Sequence, residues 1–133
     1  MAYAPAKGKT LLIPSGTEQD PHKRHLFVIL TNRCALDSHL LVSLSRVKEG
    51  VHFDDACLFE VGEHPFVREQ SFAAYRLARI VRAATLIGSV DGDYFTSKED
   101  MSAALVERMC AGIERSEFIA PKFVAYYRRN AAL

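Results

Sequence analysis

The sequence predicts an α+β chain in which a small antiparallel β-barrel or sandwich is followed by C-terminal helices. Three observations carry that expectation. Four β-rich apolar runs, divided by glycine, proline and aspartate turn signals, precede any clear helix. One of them, His25–Thr31, is apolar almost without interruption, as suits a central strand buried on both faces. Far downstream, Met101, Leu105, Met109 and Ile113 recur every four residues, the spacing of an amphipathic helix. At 133 residues, 49% of them hydrophobic, the chain has the length of one domain and enough apolar side chain for one core. The expected division is a barrel over about 9–82 and a helical segment over about 83–133.

The elements follow in order. Met1 to Lys7 reads as a loose arm without the apolar stretch of a leader. Lys9–Ile13 is the first strand candidate. Pro14-Ser15-Gly16 ends it, because proline has no N–H for the ladder and glycine permits a turn. A polar, charged loop over 14–24 leads to the central run His25–Thr31, and residues 32–37 connect it to the strand His39–Ser45, where Ser43 and Ser45 enter in alternation. Ala56–Val61 is strand-like and is turned by Gly62-Glu63-His64-Pro65. Ser71–Leu77 is expected to be a fifth strand, continuing irregularly into a short helix near Ala83–Ile87, although its alanine and arginine content also suits a helix. Asp91-Gly92-Asp93 is a turn. Ser97 followed by Asp100 resembles a capping box, and carboxylates favour a helix N-terminus, so a helix of about 18 residues is expected from there, with Ala104 joining its apolar stripe. Pro121, a good first-turn residue, opens a second helix carrying Phe123, Val124 and Tyr127.

The net charge is +1, so any contact with nucleic acid must come from a local basic cluster rather than bulk charge. No apolar run approaches the roughly 20 residues of a membrane span, and no membrane association is expected. The three cysteines, Cys34, Cys57 and Cys110, are odd in number and widely spaced, a poor disulfide framework. They read as reduced, small core residues of a cytoplasmic protein.

Three groups of residues could carry chemistry. The first is the loop, where Glu18, Gln19, Asp20, His22, Lys23, Arg24 and His25 fall within eight residues. Lys23 and Arg24 are donors for phosphate, and the histidines can move protons near neutral pH. By composition alone the same segment is a solvated connector. The second is His52, Asp54, Asp55, Cys57 and His64, all metal-ligating types but without Cys-x-x-Cys or His-x-x-x-His spacing. The simpler reading puts Cys57 in the core, Asp54 and Asp55 in a turn and His64 in place before Pro65, so no metal or other cofactor is expected. The third is His64, Ser71, Tyr75 and Arg76, with Arg68 close by. Strand alternation places Ser71, Ala73 and Tyr75 on one face and Phe72, Ala74 and Arg76 on the other. These residues suit an RNA base or phosphate, since tyrosine stacks and arginine pairs. The equal alternative makes Tyr75 a core phenol and pairs Arg76 with Glu60 or Glu63. The Met101–Met109 stripe is read as core packing, with a dimer seam or partner surface as the alternative.

One resemblance joins these observations. Gly16-Thr17-Glu18-Gln19, then the basic pair Lys23-Arg24, then an apolar strand ending Leu30-Thr31-Asn32, resembles the opening of PemK/MazF-type toxins. It extends over about residues 9 to 80, and the strand bearing Ser43 and Ser45 takes the place of the family's third strand. His25 stands where that family usually has proline, and Pro21 replaces a glycine-rich turn. The resemblance implies an SH3-like barrel with appended helices, a homodimer, cleavage of single-stranded RNA without metal, and an antitoxin protein as partner. Residue by residue, it implies that Arg24 handles the scissile phosphate, that Ser45 is the strand-end hydroxyl, and that Glu18 and Gln19 lie near the substrate channel. Read as chemistry, Arg24 and Ser45 would be donors to the phosphorane and His25 or His22 a proton carrier. The expected catalytic set is therefore Arg24, Ser45 and His25. Glu18, Gln19, Lys23, His64, Ser71, Tyr75 and Arg76 are the expected substrate contacts. A non-catalytic binding module on the same barrel is the alternative.

Overall fold

Ser38–Arg46 is the strand about which the chain is arranged, and its first seven residues are all buried. The computed structural model describes residues 2–16 and 18–132. In chain order the strands are β1 (Thr10–Pro14), β2 (Arg24–Ile29), β3 (Ser38–Arg46), β4 (Leu58–Phe59) and β5 (Ser71–Arg82). Then come helix α1 (Ala83–Asp91), strand β6 (Thr96–Lys98) and helices α2 (Ala103–Ile113) and α3 (Pro121–Asn130). The six strands form one antiparallel sheet in the order β4-β5-β3-β2-β1-β6, curled into a half-barrel.

Both faces of that sheet are covered, which is why β2 reads as a continuous apolar run. Leu26, Val28 and Leu30 share one face with Leu40, Val42 and Leu44, and α2 and α3 close over it with Leu105, Met109, Ile113, Phe123 and Tyr126. On the other face Phe27, Ile29 and Leu41 pack with Leu11, Ile13 and Leu86 of α1. Each such fully buried side chain contributes roughly 1.5–3 kcal/mol. β5 is twelve residues long and passes directly into α1, whose first N–H, on Ala83, donates to the Asp37 carbonyl at 2.7 Å. Opposite Leu41 and Ser43 the β5 partners are Arg79 and Ala74, so extra β5 residues are accommodated there and the sheet bends. No helix among the described residues is long and apolar enough to cross a membrane.

The main strands and the helix at Pro121 lie where the sequence places them, and four details differ. From Tyr3 to Gly8 the arm is fastened to the body: Tyr3 N–H donates to Asp91, Lys7 N–H to Asn32, and Gly8 N–H to the Ile29 carbonyl. The fourth strand contracts to Leu58–Phe59, because β5 offers it only Ser71 and Phe72 as partners. The fifth is strand throughout to Arg82 instead of stopping near Leu77. Finally, the helix expected from Ser97 begins at Ala103, is 11 residues long and leaves Ala104 exposed. Ser102 is its cap, accepting from Leu105 N–H at 3.2 Å. Ser97 instead lies on β6 opposite Leu11, because the chain after α1 returns to the free edge of β1. Cys34, Cys57 and Cys110 are free thiols, all buried.

Candidate functional site

A cleft opens where the sheet unzips. The β2–β3 ladder runs from Ile29–Leu41 to Phe27–Ser43 and ends there. Yet β2 pairs onward with β1 as far as Arg24 opposite Pro14, and β3 with β5 as far as Arg46 opposite Ser71. Arg24–His25 and Ser45–Arg46 are therefore neighbouring strand ends with no ladder between them, and a cleft of about 800 Å³ lies against them. Alternation sends His25 and Ser45 to one side of the sheet and Arg24 and Arg46 to the other, so the cleft is lined from both. Leu12, Leu44 and Val67 give it an apolar floor.

Its walls are cationic. Lys23, Arg24, Arg46, Lys48, Arg68 and Lys98 border it, against the carboxylates of Glu69 and Glu99. In a chain of net charge +1, six cations against two carboxylates is a concentrated positive field. Arg46 pairs with Glu69 at 2.6 Å, but both side chains are mostly exposed, so that pair contributes only about 0–1 kcal/mol and holds the guanidinium loosely.

His25 is half-buried at the lip of the cleft, and its Nδ1 lies 2.5 Å from the Ser15 hydroxyl. Ser15 Oγ donates its one proton to the Ile13 carbonyl at 3.0 Å. With that proton committed, Nδ1–H is the donor to Ser15, and Nε2 carries the lone pair. Burial, and then the charges of Lys23, Arg79 and Lys48, hold the imidazole pKa below its ordinary value of 6.5. The ring is therefore neutral at neutral pH and equipped to accept a proton.

The loop that carries Ser15 is a tight return. Ser15 N–H donates to the Lys23 carbonyl at 3.0 Å and Lys23 N–H to the Asp20 carbonyl at 3.3 Å. A Cβ on Gly16 would sit 1.8 Å from the Asp20 carbonyl oxygen, so only glycine fits. Gly16→Ala is expected to open this loop while leaving the core folded. The amides of Ser15 and Lys23 should then exchange with deuterium about tenfold faster or more, with core amides unchanged, as measured by hydrogen exchange.

Of the residues singled out from sequence, Lys23, Arg24, His25, Ser45 and Ser71 all line this cleft. Glu18, Gln19 and His22 are exposed on the loop and do not line it, and Thr17 of the same motif lies outside the described residues. His64 is buried behind the wall formed by Pro65 and Phe66. Its Nδ1 accepts from Phe66 N–H at 3.1 Å and its Nε2 donates to the Glu99 carbonyl at 2.7 Å, so both ring nitrogens are used in holding the structure. Tyr75 is fully buried and donates its hydroxyl to the Met109 carbonyl at 2.6 Å, as the core reading expects. Arg76 is exposed and faces a second, smaller pocket. Neither expected glutamate is its partner: Glu63 pairs with Arg108 at 2.7 Å, and Glu60 accepts from Gln70 at 2.8 Å.

The metal-type residues are dispersed in the same way. Cys57 is in the core, and Asp54 accepts from Ser116 and from Ala56 N–H. Among the described residues no three His, Cys, Asp or Glu side chains form a group that could hold a metal ion.

The sequence alone singles out neither Arg46, Lys48 and Lys98 as cleft residues nor Ser15 as the partner of His25. Arg46 and Lys48 had a signal, since they directly continue the strand of Ser45. Lys98 had none, because its place depends on β6 returning to β1. Comparison of the chain with protein-family models and with curated proteins finds no match.

Proposed function

We propose that the cleft between the ends of β2 and β3 binds the backbone of single-stranded RNA and cleaves it without a metal ion, as PemK/MazF-like toxins do, on an SH3-like barrel. The observation that supports this most is the meeting of Arg24, His25 and Ser45, with Lys23 and Ser71, at one cationic cleft. Cations at this density recognise a polyanion, and the lone pair of His25 supplies a base for a ribose 2′-hydroxyl. In the reaction His25 takes the 2′-proton, the 2′-oxygen attacks phosphorus, and the bond to the 5′-oxygen breaks, leaving a 2′,3′-cyclic phosphate. The 5′-oxygen takes its proton from water. Arg24 and Ser45 donate to the non-bridging oxygens as charge builds on them. A homodimer, a neutralising antitoxin protein and a cytoplasmic location belong to the same reading.

A binding module without turnover is the second reading. It is favoured by one observation: among the described residues His25 is the only imidazole lining the cleft, since His22 lies out on the loop and His64 is committed to Glu99 and Phe66.

Titration of labelled single-stranded RNA into wild type and Arg24→Ala, with products resolved on a gel in the presence of a chelator, tests both. Arg24→Ala is expected to weaken binding about tenfold, as for loss of one charge-assisted contact. With three or four phosphates neutralised, log affinity should fall against log salt with a slope of about −2 to −3. Wild type that binds no RNA at low salt, or binds it no better than Arg24→Ala, overturns the RNA reading. RNA bound but left uncut selects the binding module.

A further inference from the structure

We propose that the smaller pocket beside the cleft seats one unpaired nucleobase of the RNA whose phosphates lie along Lys23, Arg24 and Arg46. This rests on the RNA reading above and names a subsite for it.

The pocket, about 140 Å³, lies on the side of β3 and β5 to which Ser45 points, and Ser45 lines both it and the cleft. Ser45 stands opposite Phe72 in the β3–β5 ladder, and Phe72 lines the pocket, so the two spaces adjoin at Ser45. A chain with its phosphate at Ser45 can therefore turn its base directly into the pocket.

The walls have the chemistry of a base site. His52 faces Phe118 with ring centroids 5.7 Å apart, and Phe53 faces Phe72 at 5.3 Å. These rings are not closed into the core: His52 is exposed, Phe53 and Phe72 are partly buried, and Phe118 keeps 38% of its surface in water. Arg76, exposed, also lines the pocket, and its guanidinium is of the type that donates to the acceptor edge of a base or stacks on it. Aromatic faces beside a cationic track are what an unpaired strand uses, because every base offers a π-face whatever its sequence.

The pocket is also held in shape. Ser116 Oγ donates to the buried Asp54 carboxylate at 2.5 Å while accepting from Phe118 N–H at 3.1 Å and Ile119 N–H at 3.2 Å. That bond joins the segment of His52 and Phe53 to the turn before α3. It thereby places Phe118 against His52 without any ligand.

The test is fluorescence anisotropy of the full chain with two probes of equal length: a mixed-sequence single-stranded oligoribonucleotide, and its abasic ribose-phosphate counterpart. Wild type is expected to bind the oligoribonucleotide at least tenfold more tightly than the abasic chain. Phe118→Ala and Arg76→Ala should each remove roughly tenfold of affinity for the oligoribonucleotide and leave abasic binding unchanged. Arg76 is a surface residue, so its variant keeps the test valid should Phe118→Ala unfold. Equal wild-type affinity for the two probes, or equal weakening of both by the variants, overturns the base pocket while leaving the phosphate cleft standing. Failure of wild type to bind either probe overturns both.

Discussion

Replacing His25 with alanine is expected to lower RNA cleavage by about 10²–10⁴-fold while changing RNA affinity by no more than about threefold. The asymmetry follows from charge. His25 is neutral at neutral pH, because burial and the charges of Lys23, Arg79 and Lys48 depress its pKa. A neutral ring adds little to the attraction of a polyanion, so its loss should appear in turnover. Arg24→Ala should weaken both turnover and affinity, because Arg24 holds the phosphate in the ground state and also donates to the charge that builds in the transition state. Measuring kcat and Kd separately for the two variants distinguishes a base from a phosphate contact. Equal turnover by wild type and His25→Ala would remove His25 from the chemistry.

The same pKa shift sets the pH profile. The base form of His25 must be present for turnover, so activity should fall on the acid side with a midpoint below 6.5, the ordinary histidine value. Lys48→Met removes one of the cations that oppose protonation, so the midpoint should rise toward that value. Ser15→Ala leaves Nδ1 without its partner 2.5 Å away. It should lower kcat by roughly tenfold with little change in Kd, because the ring then loses both its fixed tautomer and its orientation. A profile that does not move in Lys48→Met would place the titrating group elsewhere.

Legibility in the sequence tracked the range of the interaction involved. β3 and β2 were readable because their signal is local: serines entering an apolar run at period two, and a run too apolar for a half-exposed strand. The start of α2 was misread for an equally local reason. Ser97 and Asp100 have the spacing of a capping box, but the edge of β1 claims Ser97 for β6 first. Met101 keeps the apolar period of α2 while standing outside it, since its N–H is bonded to the Gly8 carbonyl.

The site divides along the same line. Lys23, Arg24 and His25 are contiguous and announced themselves as a cluster. Lys98 reaches the cleft through a strand pairing that spans most of the chain, which one sequence does not encode locally. His64 was ambiguous in principle, because a histidine that holds a carbonyl and one that faces a substrate are the same letter.

Gly112→Ala is expected to destabilise the protein by about 2–4 kcal/mol, more than a surface helix glycine would suggest. In an exposed helix this substitution stabilises by up to about 1 kcal/mol. Here a Cβ would lie 2.1 Å from the Tyr75 hydroxyl and 2.9 Å from the ring carbon that bears it. Tyr75 cannot withdraw, because it is 0% exposed and its hydroxyl is bonded to the Met109 carbonyl of the same helix at 2.6 Å. Either α2 moves off β5, losing packing at Met109 and Ile113, or the phenol loses its acceptor in a buried setting, at a cost of about 1–3 kcal/mol. At about 4 °C per kcal/mol for a chain of this size, the melting temperature should fall by roughly 8–16 °C. Tyr75→Phe removes the atom nearest the new methyl, so the double variant should be more stable than the sum of the two single losses by about 1 kcal/mol or more. Denaturant melts of the four proteins measure that coupling. Additive losses would mean that the close approach of α2 to β5 at Gly112 is not what holds the helix against the sheet.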